Sequence, residues 1–319
     1  MYPRSRGPSK QEHSSINPFT QTSHGAIIIK KMIDPQAQAA TVSRAILTLE
    51  PPDSRIITDP YAHLFLAGKF KLLYLTTKHL PFLRQPIIEH FERITSSLFT
   101  WPSVRHAYFD NLLQSALSSK SYQVVSLGCG YDSRAIRLSS LLPDTRVFEV
   151  DRAELLERKR HILLINNLPI SQTFVAANLL DSSWPQDLMQ YGHVPERRSI
   201  FMMEGLLPYF DNKTVNSLFN VLSLLCSKGS ILIFDYVDIR YLDHAFHDMN
   251  FANHIYFINS QGELILSGFN PEYLPSYLHS HHFTVTEHLT SPDLGSYLTG
   301  RYSGRRLHKH CRTAVCVRD

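Results

Sequence analysis

No stretch of about 18 or more uninterrupted apolar residues occurs in the chain, which leaves no segment suited to a membrane-spanning helix. The opening residues, MYPRSRGPSKQEHSSINPF, lack the apolar core of a secretory leader, and the run Ala26 to Ile29 is too short to supply one. Cysteine is scarce. Cys129, Cys226, Cys311 and Cys316 form no C-x-x-C pair, so neither a zinc knuckle nor a redox couple is indicated, and reduced thiols are expected. A basic stripe is also missing: 32 Lys and Arg against 28 Asp and Glu leave a net charge of only +4. No internal repeat is visible. Together these absences point to a cytoplasmic globular protein with neither a nucleic-acid nor a membrane partner.

What is present is material for a core. With 319 residues, 43% hydrophobic and 19% charged, the chain is neither a disordered polymer nor a fibrous rod. Residues 1–25 mix Ser, Pro, Gln, His and Gly, too polar a composition to offset the entropy of ordering, and a disordered tail is expected over 1–35. A single domain over 36–319 follows. Its first part, 36–120, reads as helical: QAQAATVSRAILTL (36–49) has apolar residues at helical spacing until Pro51-Pro52 stops it. DPYAHLFL (59–66) opens with Asp59 as a cap and Pro60 at the first helical position, and 70–101 and 105–117 continue in apolar, helix-compatible blocks.

From residue 121 strand-like and helix-like blocks alternate. Strands are expected at 123–128, 146–151, 173–179, 198–205 and 231–237, with helices at 154–166 and 214–227 between them, the pattern of a parallel sheet with crossover helices. HFTVTEHL (282–289) and CRTAVCVR (311–318) follow without a strong helix between them, which suits an antiparallel pair at the edge. The fold class is therefore α/β.

The loop Leu127-Gly128-Cys129-Gly130-Tyr131-Asp132-Ser133 joins the first strand to a helix, and its two glycines permit a tight turn that brings backbone amides close to a ligand. A dinucleotide fingerprint needs a small residue where Arg134 stands, which disfavours a nicotinamide or flavin cofactor. Asp151 ends the second strand 21 residues after Gly130, where a carboxylate can accept both hydroxyl protons of a ribose. A cofactor with a ribose and no pyrophosphate, such as S-adenosylmethionine, fits these features. Asn178, Leu179 and Glu204 follow the third and fourth strands, and ligands on open α/β sheets bind beyond the strands' carboxyl ends, so these positions converge. For the glycines a plain turn, and for Asn178 a turn role, remain the alternatives.

VVSLGCGYDSRAIRL (124–138), RVFEVDRAELLERKRHIL (146–163) and FMMEGLLPYF (201–210) resemble successive motifs of the leucine carboxyl methyltransferase family. DPYAHLF (59–65) and RHAYFDNLL (105–113) are similar to its helical N-terminal region. The resemblance spans roughly residues 36–319. It implies a Rossmann-like, seven-stranded class I methyltransferase sheet with an antiparallel C-terminal strand and extra N-terminal helices, using S-adenosyl-L-methionine. By position, it implies that Arg105 pairs with the methionine carboxylate, Gly128 and Gly130 approach the cofactor, and Asp151 binds ribose. Asn178 and Leu179 would flank adenine, and Glu204 would sit near the methionine amino group. Two simpler alternatives are a surface cation at Arg105 and a buried partner of that arginine at Glu204. The family commonly has an acid where Asn178 stands, and a lysine of the phosphatase methyltransferases finds no match near Thr41–Arg44. EGLLPYF and FEVD resemble instead the branch with small-molecule methyltransferases.

The reaction so implied is O-methylation of a small-molecule carboxylate or hydroxyl by in-line transfer, in which positioning supplies much of the acceleration. Tyr209 is the candidate for positioning the acceptor, with a loop tether as its structural alternative. The insertion of about 237–275 is expected to wall the acceptor pocket. It holds His244 and His247 at i, i+3, but without a third ligand no metal is expected. His279, His281 and His282 are expected to cap a helix or face solvent, and Arg301, Arg305 and Arg306 to lie in a solvated loop. The competing readings are a protein C-terminal leucine carboxylate as acceptor, a cofactor-binding protein without transferase activity, and a nicotinamide oxidoreductase. The oligomeric state is not legible.

Overall fold

Proline at a first helical position and an alanine-rich continuation start the first helix, α1 (Pro35–Leu47), which buries Val42, Ala45, Ile46 and Leu47. The computed structural model describes residues 35–319 apart from 96–97, 120–121, 143, 243–248, 261–263, 299–306 and 308. The tail expected over 1–35 thus lies, but for Pro35, outside the described residues. Asp59 accepts from the amides of Tyr61 and Ala62 at 3.2 and 3.0 Å but closes a turn and does not cap a helix: only a 3-10 element, Ala62–Phe65, follows, with Tyr61 at its N-cap position and no side-chain cap. The expected helix over 59–66 stops there because the amide of Ala67 bonds the side chain of Gln38 and Gly68 adopts φ +52°. The apolar block beyond is divided at Pro81 into α2 (Gly68–His79), a 3-10 turn (Pro81–Leu83) and α3 (Arg84–Thr95), with Pro86 tolerated in the first turn of α3, followed by α4 (Trp101–Ser119).

The strands are β1 (Gln123–Leu127), β2 (Val147–Asp151), β3 (Thr173–Ala176), β4 (Ser199–Met203), β5 (Ile231–Val237), β6 (Phe283–Thr290) and β7 (Cys311–Arg318). They form one sheet in the order β3-β2-β1-β4-β5-β7-β6. The first five are parallel, and β7 runs antiparallel to both β5 and β6. The expected antiparallel pair is present, with β7 inserted between β5 and the edge strand β6. β3 is shorter than its apolar run because Asn178 accepts from the amide of Leu180 and turns the chain.

Period-2 alternation sends neighbouring strand residues to opposite faces, so a sheet covered on both sides needs apolar residues at both parities. Val124, Ile200, Met202 and Ile233 pack on one face with Ile46 of α1 and Tyr108 and Phe109 of α4. Val125, Leu127, Phe148, Phe201 and Phe234 pack on the other with Trp184 and Leu188 of α7 (Trp184–Gln190) and with Phe219 and Leu222 of α8 (Asn212–Leu225). Between these lie the short α5 (Arg134–Arg137) and α6 (Ala153–Ile165); α9 (Met249–Ser260), α10 (Leu274–Ser280) and α11 (Ser291–Tyr297) complete the described elements. The four cysteines are buried and unpaired.

Candidate cofactor and acceptor site

At the carboxyl ends of β1, β2, β4 and β5 lies a cavity of about 560 Å³, within the range of small-molecule sites. All eight residues singled out above line it: Arg105, Gly128, Gly130, Asp151, Asn178, Leu179, Glu204 and Tyr209. Parallel strands end together at this edge, so residues separated by more than a hundred positions arrive side by side.

The glycine loop turns as its composition requires. Gly128 and Gly130 have φ of +65° and +50°, where a side chain is strained, and a Cβ on Gly128 would stand 2.8 Å from Leu206. The loop amides are spent inward. Those of Gly128 and Cys129 donate to the carbonyl of Val150 at 2.9 and 3.2 Å, and that of Gly130 donates to Asp151 at 2.8 Å. The expectation that the turn brings amides close to a ligand is corrected for Gly128, Cys129 and Gly130, whose amides bond within the protein; what the two glycines offer a ligand is shape. Asp151 has each oxygen on a backbone amide, the second from Arg152 at 2.8 Å, which orients the carboxylate on the cavity wall. The Oδ1 of Asn178 accepts from Leu180 at 3.1 Å, so Asn178 is both a turn residue and part of the lining.

Between the loop and α4 lies a cluster of buried ions. Arg134 donates from Nε to Asp110 at 2.6 Å and from Nη1 to Asp132 and Glu204 at 2.7 and 2.8 Å. Arg137 holds the other oxygen of Asp110 at 2.7 Å, and Arg44 of α1 bonds Asp59 at 3.0 Å and the carbonyl of Tyr131 at 2.7 Å. Arg105 is no surface cation. Its Nε meets Glu204 at 3.2 Å and its Nη1 meets Asp235 at 2.6 Å. Glu204 is thus a buried partner of Arg105 as well as part of the cavity wall. Burial alone would raise its carboxyl, but His106, Arg134 and Arg105 outweigh that and hold it well below the usual carboxylate range.

His106 has a defined tautomer. Arg137 Nη2 lies 2.8 Å from its Nε2, and a guanidinium only donates, so Nε2 accepts and the proton sits on Nδ1, 3.0 Å from Glu204. Burial, then Arg134, push its pKa down, in accord with a neutral ring.

One stretch of the wall is apolar: Leu98, Trp101, Leu206, Phe210, Ile258 and Ile265 line it, and the half-buried Tyr209 also lines the cavity. Ile258 of α9 and Ile265 bring the expected insertion to this wall. His244, His247, Arg301, Arg305 and Arg306 lie outside the described residues. His281 is the C-cap of α10, its Nδ1 2.9 Å from the carbonyl of Tyr277 and its ring buried against that tyrosine, while His279 and His282 are exposed, as expected of a cap and of solvent-facing histidines.

Sequence reasoning missed Arg44, His106, Asp110, Asp132 and Asp235. Arg134 was legible only as a misfit to the dinucleotide pattern, and that misfit was the available signal: a charge where a helix meets a sheet needs partners. RHAYFD places His106 and Asp110 one helical turn apart, on the face α4 turns to the loop.

A family profile described as leucine carboxyl methyltransferase matches residues 37–223. A Mycobacterium leprae protein named "Putative S-adenosyl-L-methionine-dependent methyltransferase" is 36% identical over 128 residues, 40% of this chain and 42% of that protein. A similarly named protein of Mycolicibacterium paratuberculosis is 29% identical over 219 residues, 68% of each. Among solved structures, a DUF574-family protein from Streptomyces avermitilis superposes with a TM-score of 0.55 at 12% identity, over 74% of this chain and 90% of that one, a likeness of fold.

Proposed function

Since the chain belongs to the leucine carboxyl methyltransferase family, whose cofactor is S-adenosylmethionine, we propose that it transfers the cofactor's methyl group to an oxygen of a small molecule. The observation that carries this reading is the single cavity on which Asp151, Gly130, Asn178, Glu204 and an apolar wall converge.

The residues fit that cofactor. Asp151, oriented by the amides of Gly130 and Arg152, lines the cavity where a sugar diol would lie, the amides of Gly128, Cys129 and Gly130 are bonded within the protein, and Glu204 stays ionised where an ammonium would sit. When bound, the cofactor supplies a methyl group on a sulfonium. Asp151 would hold the ribose, Asn178 and Leu179 would flank adenine, and Gly128 and Gly130 would keep the loop clear of the adenosine. Arg105, with Nε and Nη1 committed to Glu204 and Asp235, would orient these carboxylates and meet the methionine carboxylate through its remaining donors. Residues 36–120 would act as a helical cap over a core formed by 121–319.

Leu98, Trp101, Phe210 and Ile258 suit an acceptor with an apolar body, which they would hold while excluding water, with Tyr209 positioning its oxygen. Among the described lining residues the His and carboxylate groups are committed: His106 Nε2 to Arg137, Glu204 to three cationic or N–H partners, Asp132 to Arg134, Asp151 to the amides of Gly130 and Arg152, and Asp235 to Arg105 and the amide of Gly205. A carboxylate acceptor is ionised at pH 7 and needs no base, so this arrangement favours a small carboxylic acid over an alcohol.

Incubation with cofactor deuterated at the methyl group and a metabolite extract, read by mass spectrometry, tests the proposal. A labelled ester of a small acid, cleaved by mild alkali, is expected. An alkali-stable labelled ether would move the acceptor to a hydroxyl, label only on a leucine-ended peptide would move it to protein, and bound cofactor with no labelled product would remove transferase activity altogether.

A further inference from the structure

From Gly68 to Ile88 the chain carries Lys69, Lys71, Lys78 and Arg84 and no Asp or Glu, so this run alone holds a formal charge equal to the +4 of the whole protein. α2 spans the first part of it. Tyr74 and Thr77 are buried, and Phe70 and Leu73 pack against the core. The opposite side does not follow the usual polar rule. Leu72 is 66% exposed, and beyond the helix Phe82 is 72% exposed, with Leu75 and Leu80 also facing outward. Lys71, Leu75 and Lys78 fall at i, i+4 and i+7, and Leu72, Leu75 and His79 at i, i+3 and i+7, so one helical face interleaves lysine with leucine.

The geometry points to a lipid surface: we propose that α2 and the turn Pro81–Leu83 dock in the plane of a membrane carrying anionic headgroups. A helix with Leu and Phe on the contact side and Lys around them is built to lie in the interface, apolar groups inserted and ammonium groups drawn up to the phosphates. A protein partner fits less well, because the centres of protein interfaces are depleted in lysine. A second copy fits least: an isologous contact would set this acid-free run against itself, like charge on like charge. No described helix is long and apolar enough to cross a membrane, and surface docking needs none. A lipid surface is thereby added to the partners read from the sequence. The inference rests on this surface alone and is independent of the methyl-transfer reading.

Co-sedimentation of the full chain with vesicles tests it, using phosphatidylcholine alone and phosphatidylcholine mixed with phosphatidylserine. At low salt, binding to the mixed vesicles should exceed that to the neutral ones by at least about fivefold and should fall as salt is raised. The pair L72E/F82E should lower binding about tenfold, and so should K71E/K78E, with circular dichroism and cofactor affinity unchanged. Equal binding to both vesicles, no binding to the anionic ones, or variants that bind like the parent would overturn the proposal. A dimer in light scattering that L72E/F82E dissolves would overturn it too, by giving the face to a second copy.

Discussion

On the sheet face covered by α8 and α10, Phe219 meets Phe234, Phe269 and Tyr277 edge to face, with ring centroids 5.4, 6.1 and 5.6 Å apart. At the carboxyl ends of the strands, Arg134 is equally buried but touches three carboxylates. The aromatic side gains from non-directional burial, roughly in proportion to area. The ionic side first loses the hydration of every charge and regains it only through close geometry, so apolar residues of the same volume would serve stability as well or better. The cluster lines the cavity, where the proposed cofactor would bring its own charges. The two histidines repeat the contrast. His106 is neutral among cations, whereas His193 is neutral because it lies between the rings of Phe148 and Phe201, where burial lowers its pKa to about 4.

Arg134→Met should break the contrast most severely. It leaves Asp110, Asp132 and Glu204 without their shared guanidinium, and urea denaturation should show a loss of about 3–5 kcal/mol. Calorimetric titration of the folded remainder should show cofactor affinity reduced more than tenfold. Phe219→Ala should cost a similar or slightly smaller amount, about 3–4 kcal/mol, but with cofactor affinity unchanged. If Phe219→Ala instead weakens the cofactor as much as Arg134→Met does, the division between the two regions is wrong.

His193 sharpens the comparison through pH. Its folded pKa of about 4 lies below the unfolded value of 6.5, so between those values the unfolded chain binds a proton that the native state refuses. Stability should be fully present above about pH 6.5 and decline toward pH 4, by on the order of 2–3 kcal/mol, and His193→Phe should flatten that limb of a denaturation profile. Smallest in stability terms is Asp151→Ala, which takes the acceptor from the amides of Gly130 and Arg152 and should cost about 1–2 kcal/mol in unfolding. It should still weaken S-adenosylmethionine by about 1.5–3 kcal/mol, the worth of a charged hydrogen-bond partner, and unaltered affinity in the titration would remove the ribose assignment.

The apolar region was the more legible of the two. ILIFDYV and CRTAVCVR coincide with β5 and β7 because apolar and β-branched runs of that length leave little choice once buried on both faces. Local polar chemistry set the limits elsewhere: the side chains of Gln38 and Asn178 capture amides that a longer turn or strand would have used. At the site, the strand-end residues Asp151 and Glu204 could be placed because a parallel sheet aligns its carboxyl ends. The salt bridges among them could not, since the contacts of Arg134 with Asp110 and of Arg105 with Asp235 join residues 24 and 130 positions apart. Spacing along one chain does not report which of several buried cations meets which carboxylate.

The most direct test is a crystal structure of the full chain with S-adenosylhomocysteine. The account predicts both ribose hydroxyls within hydrogen-bond reach of Asp151, adenine beside Asn178 and Leu179, and the amino group against Glu204. The nucleoside bound elsewhere, or a saturated crystal with this cavity still holding only solvent, would contradict it.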